Sequence, residues 1–208
     1  MLGDVDFGKL SFDSFEKCVN LESLGLKFSK GLELQSIDHY TTFKNLKTLE
    51  LSLNKWSSEV TALIIRKAGD SLTSLTIGEG EVDHTINDDT LTTLTNCCPK
   101  INSLSISQIS QKSFKKLFLY IKDLKLKILK IYQIEDTIIR SKSFLQYIDQ
   151  SSLSKFGIKR MDGYWDRYDY HRDHFKNLLI KHNTRLVLYE PFSCLENRKI
   201  ANFQLDSV

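Results

Sequence analysis

Residues 94–107 read LTNCCPKINSLSIS, from Leu94 to Ser107. Two adjacent cysteines and a proline are followed by leucine and isoleucine alternating with asparagine and serine. Cys97 and Cys98 can be read as metal ligands, as a redox pair or as a structural corner. A zinc site needs four ligands at suitable spacing, and no second Cys or His pair accompanies these two. Cys-x-x-Cys is absent from the chain. Cys98 stands four residues after Leu94 and so extends the apolar stripe of a helix, and Pro99 prevents that helix from continuing. Because free cysteine packs as a small hydrophobe, the stretch predicts a helix end, a corner and then a strand.

The strand half, INSLSI, is one of six copies of the string LxxLxL, with Ile or Phe allowed for Leu. The copies are LESLGL from Leu21, LKTLEL from Leu46, LTSLTI from Leu72, INSLSI from Ile101, LKILKI from Leu126 and LSKFGI from Leu153. Their starts lie 25, 26, 29, 25 and 27 residues apart. A weaker seventh copy, NTRLVLY, supplies Leu186 and Leu188 in the last two apolar positions. In LTSLTI, Leu75 and Ile77 alternate with Ser74 and Thr76, the period of a strand with one buried face. Between the strings the period changes to that of a helix. Val60, Leu63, Ile64 and Ala68 form one stripe, Phe114, Leu117, Phe118 and Ile121 another, and Phe175, Leu178 and Leu179 a third. A strand followed by a helix and a parallel neighbour coils right-handedly. No single unit buries its apolar face alone, so the units must stack.

This strand–helix unit resembles the leucine-rich repeats. DDTLTTLTNCCPKINSLSIS resembles their cysteine-containing subtype, in which a helix ends in Cys-Pro just before the next strand, and SFEKCVNLESLGL and TTFKNLKTLEL carry altered forms of that junction. The subtype is known from F-box/leucine-rich-repeat proteins, the substrate receptors of Skp–cullin–F-box ubiquitin ligases. The resemblance covers residues 15–189. It implies an α/β fold: a right-handed horseshoe solenoid of six to seven repeats, with a parallel sheet on the concave face and helices on the convex face. Strands are expected near 21–26, 46–51, 72–77, 101–106, 126–131, 153–158 and 184–189. Residues 1–18 read as a degenerate or truncated preceding repeat, 19–189 as the repeats, and 190–208 as a C-terminal tail or cap. The repeats often place Asn or Cys three residues past the last apolar position, to bond turn backbone. Here Ser29, Asn54, Gly80, Ile109, Ile134 and Met161 occupy that position, and only Asn54 matches. The C-terminal turns are therefore expected to be irregular, with their apolar residues packed. No F-box sequence precedes the repeats.

Composition is that of an ordinary globular chain, and no apolar run approaches the length of a membrane-spanning helix. The start lacks a secretory signal pattern, no Asn-x-Ser/Thr acceptor occurs, and there are only four cysteines. Together these favour an intracellular setting, cytoplasmic or nuclear. Residues 1–104 carry 10 Lys/Arg against 15 Asp/Glu, a net of −5, and residues 105–208 carry 19 against 11, a net of +8. An acidic half beside a basic half argues against one uniform nucleic-acid-binding surface, while the basic half suits an acidic partner.

Three short matches carry no chemistry in context. Asp6-Phe7-Gly8 matches a kinase tripeptide without the accompanying motifs. GKL lacks the strand–loop–helix phosphate cradle. GDSL names an esterase nucleophile block, but Ser71 immediately precedes a repeat strand and no His/Asp partner motif follows. The stretch DGYWDRYDYHRDHFKN, residues 162–177, interrupts the repeats. His171 and His174 beside Asp169 and Asp173 have metal-ligand spacing, but alternating charge on a helix start is the simpler reading, and no metal or cofactor is expected. Its Trp165, Tyr168 and arginines are residue types that dominate protein interfaces, although they also suit a cover over the last repeat.

The outward strand positions form the other candidate surface. They are Ser23, Gly25 and Lys27; Thr48, Glu50 and Ser52; Ser74 and Thr76; Ser103, Ser105 and Ser107; Ile128, Lys130 and Tyr132; and Lys155, Gly157 and Lys159. No nucleophile, base and orienting group assemble, so a non-catalytic recognition module is expected. The resemblance implies the substrate-binding repeats of an F-box-type adaptor. The candidate partner-binding residues are Lys130, Tyr132, Lys155, Lys159, Trp165 and Tyr168. They would hold a protein on the concave face or at 162–177, with a Skp adaptor and cullin joined only through an F-box supplied elsewhere. A free-standing repeat scaffold, or a binder of an anionic ligand through the basic half, is the alternative.

Overall fold

A computed structural model describes residues 2–9, 15, 18–38, 43–78, 86, 88–109, 111–134, 153–159 and 185–189. Strand β1 (Leu2–Gly3) is followed by β2 (Ser23–Lys27), β3 (Thr48–Ser52), β4 (Ser74–Ile77), β5 (Ser103–Ile109), β6 (Ile128–Ile134), β7 (Lys155–Lys159) and β8 (Arg185–Tyr189). All pair in parallel with their neighbours in chain order, so the described strands form one eight-stranded sheet of an α/β fold. From β2 to β7, each strand begins on the third residue of its LxxLxL string.

That register aligns the repeats side chain by side chain. One column runs Leu24, Leu49, Leu75, Leu104, Leu129, Phe156 and Leu186, and a second runs Leu26, Leu51, Ile77, Ile106, Ile131, Ile158 and Leu188. From Leu24 to Phe156 and from Leu26 to Ile131 every member is buried. A third line, Leu46, Leu72, Ile101, Leu126 and Leu153, is the first apolar position of the second to sixth strings and is buried as well, while Leu21 of the first is partly buried.

The strand starts share one bonding pattern. The carbonyl just before each strand accepts two N–H groups from the next unit: Glu22 from Lys47 and Thr48, Lys47 from Thr73 and Ser74, and Thr73 from Asn102 and Ser103. Asn102 likewise accepts from Lys127 and Ile128, and Lys127 from Ser154 and Lys155, all at 2.8–3.1 Å. Both lone pairs of each carbonyl are thereby used.

Helices α1 (Leu34–Asp38), α2 (Ser58–Ala68), α3 (Asp88–Cys97) and α4 (Gln111–Asp123) lie between consecutive strands and pack against one another in that order. The stripes Val60, Leu63, Ile64, Ala68 and Phe114, Leu117, Phe118, Ile121 are buried in one core with the strand columns, as an amphipathic period requires. The stripe Phe175, Leu178 and Leu179 lies outside the described residues. Helix α2 is capped by Ser57, whose Oγ accepts from the Val60 N–H, and it closes on Gly69 at φ 45°.

The strand ends divide into two kinds. The residue directly after β1, β2, β3 and β4 is Asp4, Phe28, Leu53 or Gly78, and all four have φ between 54° and 70°. One left-handed residue turns the chain out of each of these strands. Asn54 serves this turn as its position implies. Its Nδ2 donates to the Leu26 carbonyl at 2.8 Å, and its Oδ1 accepts the Ser29 N–H at 2.9 Å. Ser29, in the same position one unit earlier, is buried and donates its hydroxyl to the Lys27 carbonyl. After Ile106 and Ile131 there is no such corner. Strands β5 and β6 run on to Ile109 and Ile134, which pair, and Ile109 is fully buried. Two of the C-terminal departures from the Asn position thus lie within longer strands, and the Ile109 side chain packs in the core.

Two stability predictions follow from the turns. Asn54→Ala leaves the buried Leu26 carbonyl and Ser29 N–H unpaired and should lower unfolding free energy by about 1–3 kcal/mol in urea titrations. Phe28 is 54% exposed at φ 54°. Phe28→Gly should raise stability by roughly 0.5–1 kcal/mol, the left-handed strain less the extra entropy that glycine loses.

Candidate functional site

Helices α1–α4 pack on the sheet face that carries the apolar columns. The opposite face is polar, and the strand register arranges it in rows. The first row runs Ser23, Thr48, Ser74, Ser103, Ile128, Lys155 and Arg185. The middle row runs Gly25, Glu50, Thr76, Ser105, Lys130, Gly157 and Val187. A third begins with Gly3, Lys27 and Ser52 and ends with Lys159 beside Tyr189.

The three parts of this face differ in charge. Toward β1 the charges cancel in place. Lys27 Nζ lies 2.7 Å from Glu50 Oε1, and Lys47 Nζ lies 2.6 Å from Glu22 Oε1 beside the same strands. The middle carries hydroxyls, but several of them do not stand out as the alternation alone suggests. Ser52, Ser105 and Ser107 are buried, at 1%, 5% and 5% exposure. With neighbouring strands roughly 4.8 Å apart, a serine sits below the level of longer side chains next to it, as Ser105 does beside Thr76 and Lys130. Toward β8 the strand residues are basic in sequence. Strands β5, β6, β7 and β8 contain Lys130, Lys155, Lys159 and Arg185 and no Asp or Glu.

Of the six partner-binding candidates, four fall on this sheet. Lys130 on β6 pairs with Gly157, and Lys155 on β7 pairs with Ile128 on one side and Arg185 on the other. Both lysine side chains are half-buried. Tyr132 follows Ile131 on β6 and Lys159 follows Ile158 on β7, the two ends of one register pair. Trp165, Tyr168 and the whole stretch 162–177, with its His171 and His174, lie outside the described residues. Arg185 was missing from the candidates, and aligning NTRLVLY with LSKFGI would have put it in the row of Lys155. The Lys27–Glu50 pair was also missed, since it needs the register as well as the outward positions.

The other short motifs are occupied structurally. The Ser71 hydroxyl lies 2.9–3.1 Å from the carbonyls of Phe43, Leu46 and Ala68, so it ties a turn to the preceding unit and is not presented as a nucleophile. Asp6 Oδ1 accepts the Gly8 N–H at 3.1 Å, and Asp6 Oδ2 lies 3.4 Å from Lys30 Nζ. Among the described residues no three His, Cys, Asp or Glu side chains come together as a metal-binding group.

The cysteines make the corner. The Cys98 N–H donates to the Leu94 carbonyl at 3.0 Å and completes the last turn of α3. Its thiol is fully buried and lies 3.9 Å from the Ile65 carbonyl of α2. Burial, with smaller contributions from Cys97 and Asp70, pushes this thiol up to about 12. Between the ordinary value of 9.0 and about 12 the unfolded thiol ionises while the folded one does not, so its contribution to stability falls as pH rises through that window. A thiol reagent at mildly alkaline pH should label exposed Cys18 at once and Cys98 only after denaturation. Cys98→Ala should flatten the alkaline loss of stability.

Comparison with protein-family models, with curated proteins and with solved structures gives no match in any of the three.

Proposed function

We propose that the chain is a non-catalytic protein-recognition module, a right-handed leucine-rich-repeat solenoid that holds a partner protein against the polar, concave face of its sheet. The observation that carries this reading is the sidedness of the sheet. One face is filled by helices and in-register apolar columns. The other keeps Ser23 and Thr48 exposed and Ser74, Thr76, Ser103, Lys130 and Lys155 half-exposed. Small polar side chains on a rigid parallel sheet offer hydrogen bonds at fixed spacing with little entropy to lose on contact.

The finer reading is the substrate-binding repeat region of an F-box-type adaptor in a Skp–cullin–F-box ubiquitin ligase, working in the cytoplasm or nucleus. The corner in which Cys98 ends a helix, Pro99 bars its continuation and β5 follows supports it. In this reading the repeats hold the substrate, and an F-box supplied elsewhere docks the Skp adaptor. A free-standing repeat scaffold uses the same face without the ligase.

Purification of the tagged chain from native cells tests both levels at once, run beside the variant Ser74→Arg/Ser103→Arg, which crowds the middle of the face. A bound partner should be lost with the variant, while the Skp adaptor and cullin stay with both chains. A partner retained undiminished by the variant overturns the recognition face. Absence of Skp and cullin overturns the ligase assignment and leaves the free-standing scaffold.

A further inference from the structure

Single exposed apolar side chains are ordinary on a protein surface. Among the described residues the large ones are Leu2, Val19, Phe28, Leu34 and Leu119, and of these only Phe28 also has left-handed backbone, at φ 54°. Its corner recurs after β1, β3 and β4. Asp4 and Gly78 fill it at β1 and β4, residue types that take this backbone readily. Phe28 and Leu53 fill it on the adjacent strands β2 and β3, where a bulky side chain is strained.

The two strained corners are neighbours. Lys27 pairs with Ser52, and the Phe28 N–H donates to the Ser52 carbonyl at 3.1 Å. Phe28 and Leu53 therefore stand one register step further on, with backbones roughly 4.8 Å apart. Two residues beyond them Lys30 and Lys55 meet in a parallel bridge, and both are exposed. Lys30 Nζ lies 3.4 Å from Asp6 Oδ2, whereas Lys55 has no ion-pair partner among the described residues. On the other flank of Phe28, exposed Asp4 donates its N–H to the Lys27 carbonyl. The rim at the strand ends thus runs from carboxylates after β1, across an apolar pair after β2 and β3, to an unpaired cation after β3.

We propose that this rim is a contact site for a segment of a partner protein that sets a large apolar side chain against Phe28 and Leu53 and a carboxylate against Lys55. Exposure and backbone strain each lower stability, and at Phe28 they fall on one residue, the combination that marks a side chain kept for contact. Aromatic side chains are enriched in the cores of protein interfaces. The four positions span roughly 5 Å by 7 Å of backbone, the reach of two or three partner residues. Asp4 repels a carboxylate on the β1 side, so the partner's acidic group lies on the β3 side of its apolar one. One unpaired lysine near Asp4 offers little to an anionic bilayer, which favours a peptide over a membrane. The site lies apart from Ser74 and Ser103, the first residues of β4 and β5, and so goes beyond the recognition face proposed above.

The test is selection from a displayed library of random dodecapeptides on the full chain, with depletion on Phe28→Gly, followed by fluorescence anisotropy of the selected peptides. The peptides should carry a large apolar residue beside Asp or Glu. Phe28→Gly should weaken them about tenfold or more, and Lys55→Glu about fivefold. Leu119→Ser, at an exposed apolar site on α4, should leave them unchanged. Since Phe28→Gly is expected to melt higher than the parent, its loss of binding cannot come from unfolding. Failure to recover Phe28-dependent peptides overturns the proposal, as does indifference to Lys55→Glu or equal weakening by Leu119→Ser. Co-sedimentation with phosphatidylcholine–phosphatidylserine vesicles that Phe28→Gly abolishes, with no peptide selected, replaces the peptide by a membrane. Ser74→Arg/Ser103→Arg leaves all four rim residues in place, so this site and the recognition face can each fail alone.

Discussion

One carbonyl per unit fixes where the next strand begins. Glu22, Lys47, Thr73, Asn102 and Lys127 each accept two N–H groups from the following unit at the residue before the strand and its first residue. A slip of one residue would turn every side chain to the other face of the sheet, and this doubly bonded carbonyl opposes such a slip at five successive junctions. The apolar columns, the helix layer against them and the polar rows opposite all depend on it. Differences in unit length, from 25 to 29 residues, are absorbed between the strands and leave the register untouched.

The strands and the helix stripes were legible because both rest on short-range periodicity. Leu75 and Ile77 alternate with polar residues, and Phe114, Leu117, Phe118 and Ile121 recur at helical spacing, so each pattern fits only one backbone. Strand ends were less legible. Ile109 and Ile134 looked like failed turn residues, yet each is the right residue for a longer strand, and what decides between turn and strand is the pairing of the two, 25 residues apart. The left-handed corners at Phe28 and Leu53 could not be read at all, since nothing in either side chain favours that backbone. They follow from the sheet ending there and the chain having to leave it.

The polar face was legible as a set of positions and not as a surface. Alternation says which residues share a face, but it does not say that Lys27 and Glu50 neutralise each other or that Ser105 sits sunk beside Lys130. Both facts come from neighbours one unit away. The same limit explains why Arg185 was overlooked, because its meaning lies in standing beside Lys155, 30 residues earlier in the chain.

Charge along the sheet then becomes a property of the stacking order. Parallel pairing in chain order places the strand lysines and arginine of the basic half, Lys130, Lys155, Lys159 and Arg185, on β6–β8 and the Lys27–Glu50 pair on β2 and β3. Lysine paired with glutamate at 2.7 Å already has its counter-charge, and an incoming ligand must displace it. The spacing of these strand positions is fixed by backbone bonding and not by side-chain preference.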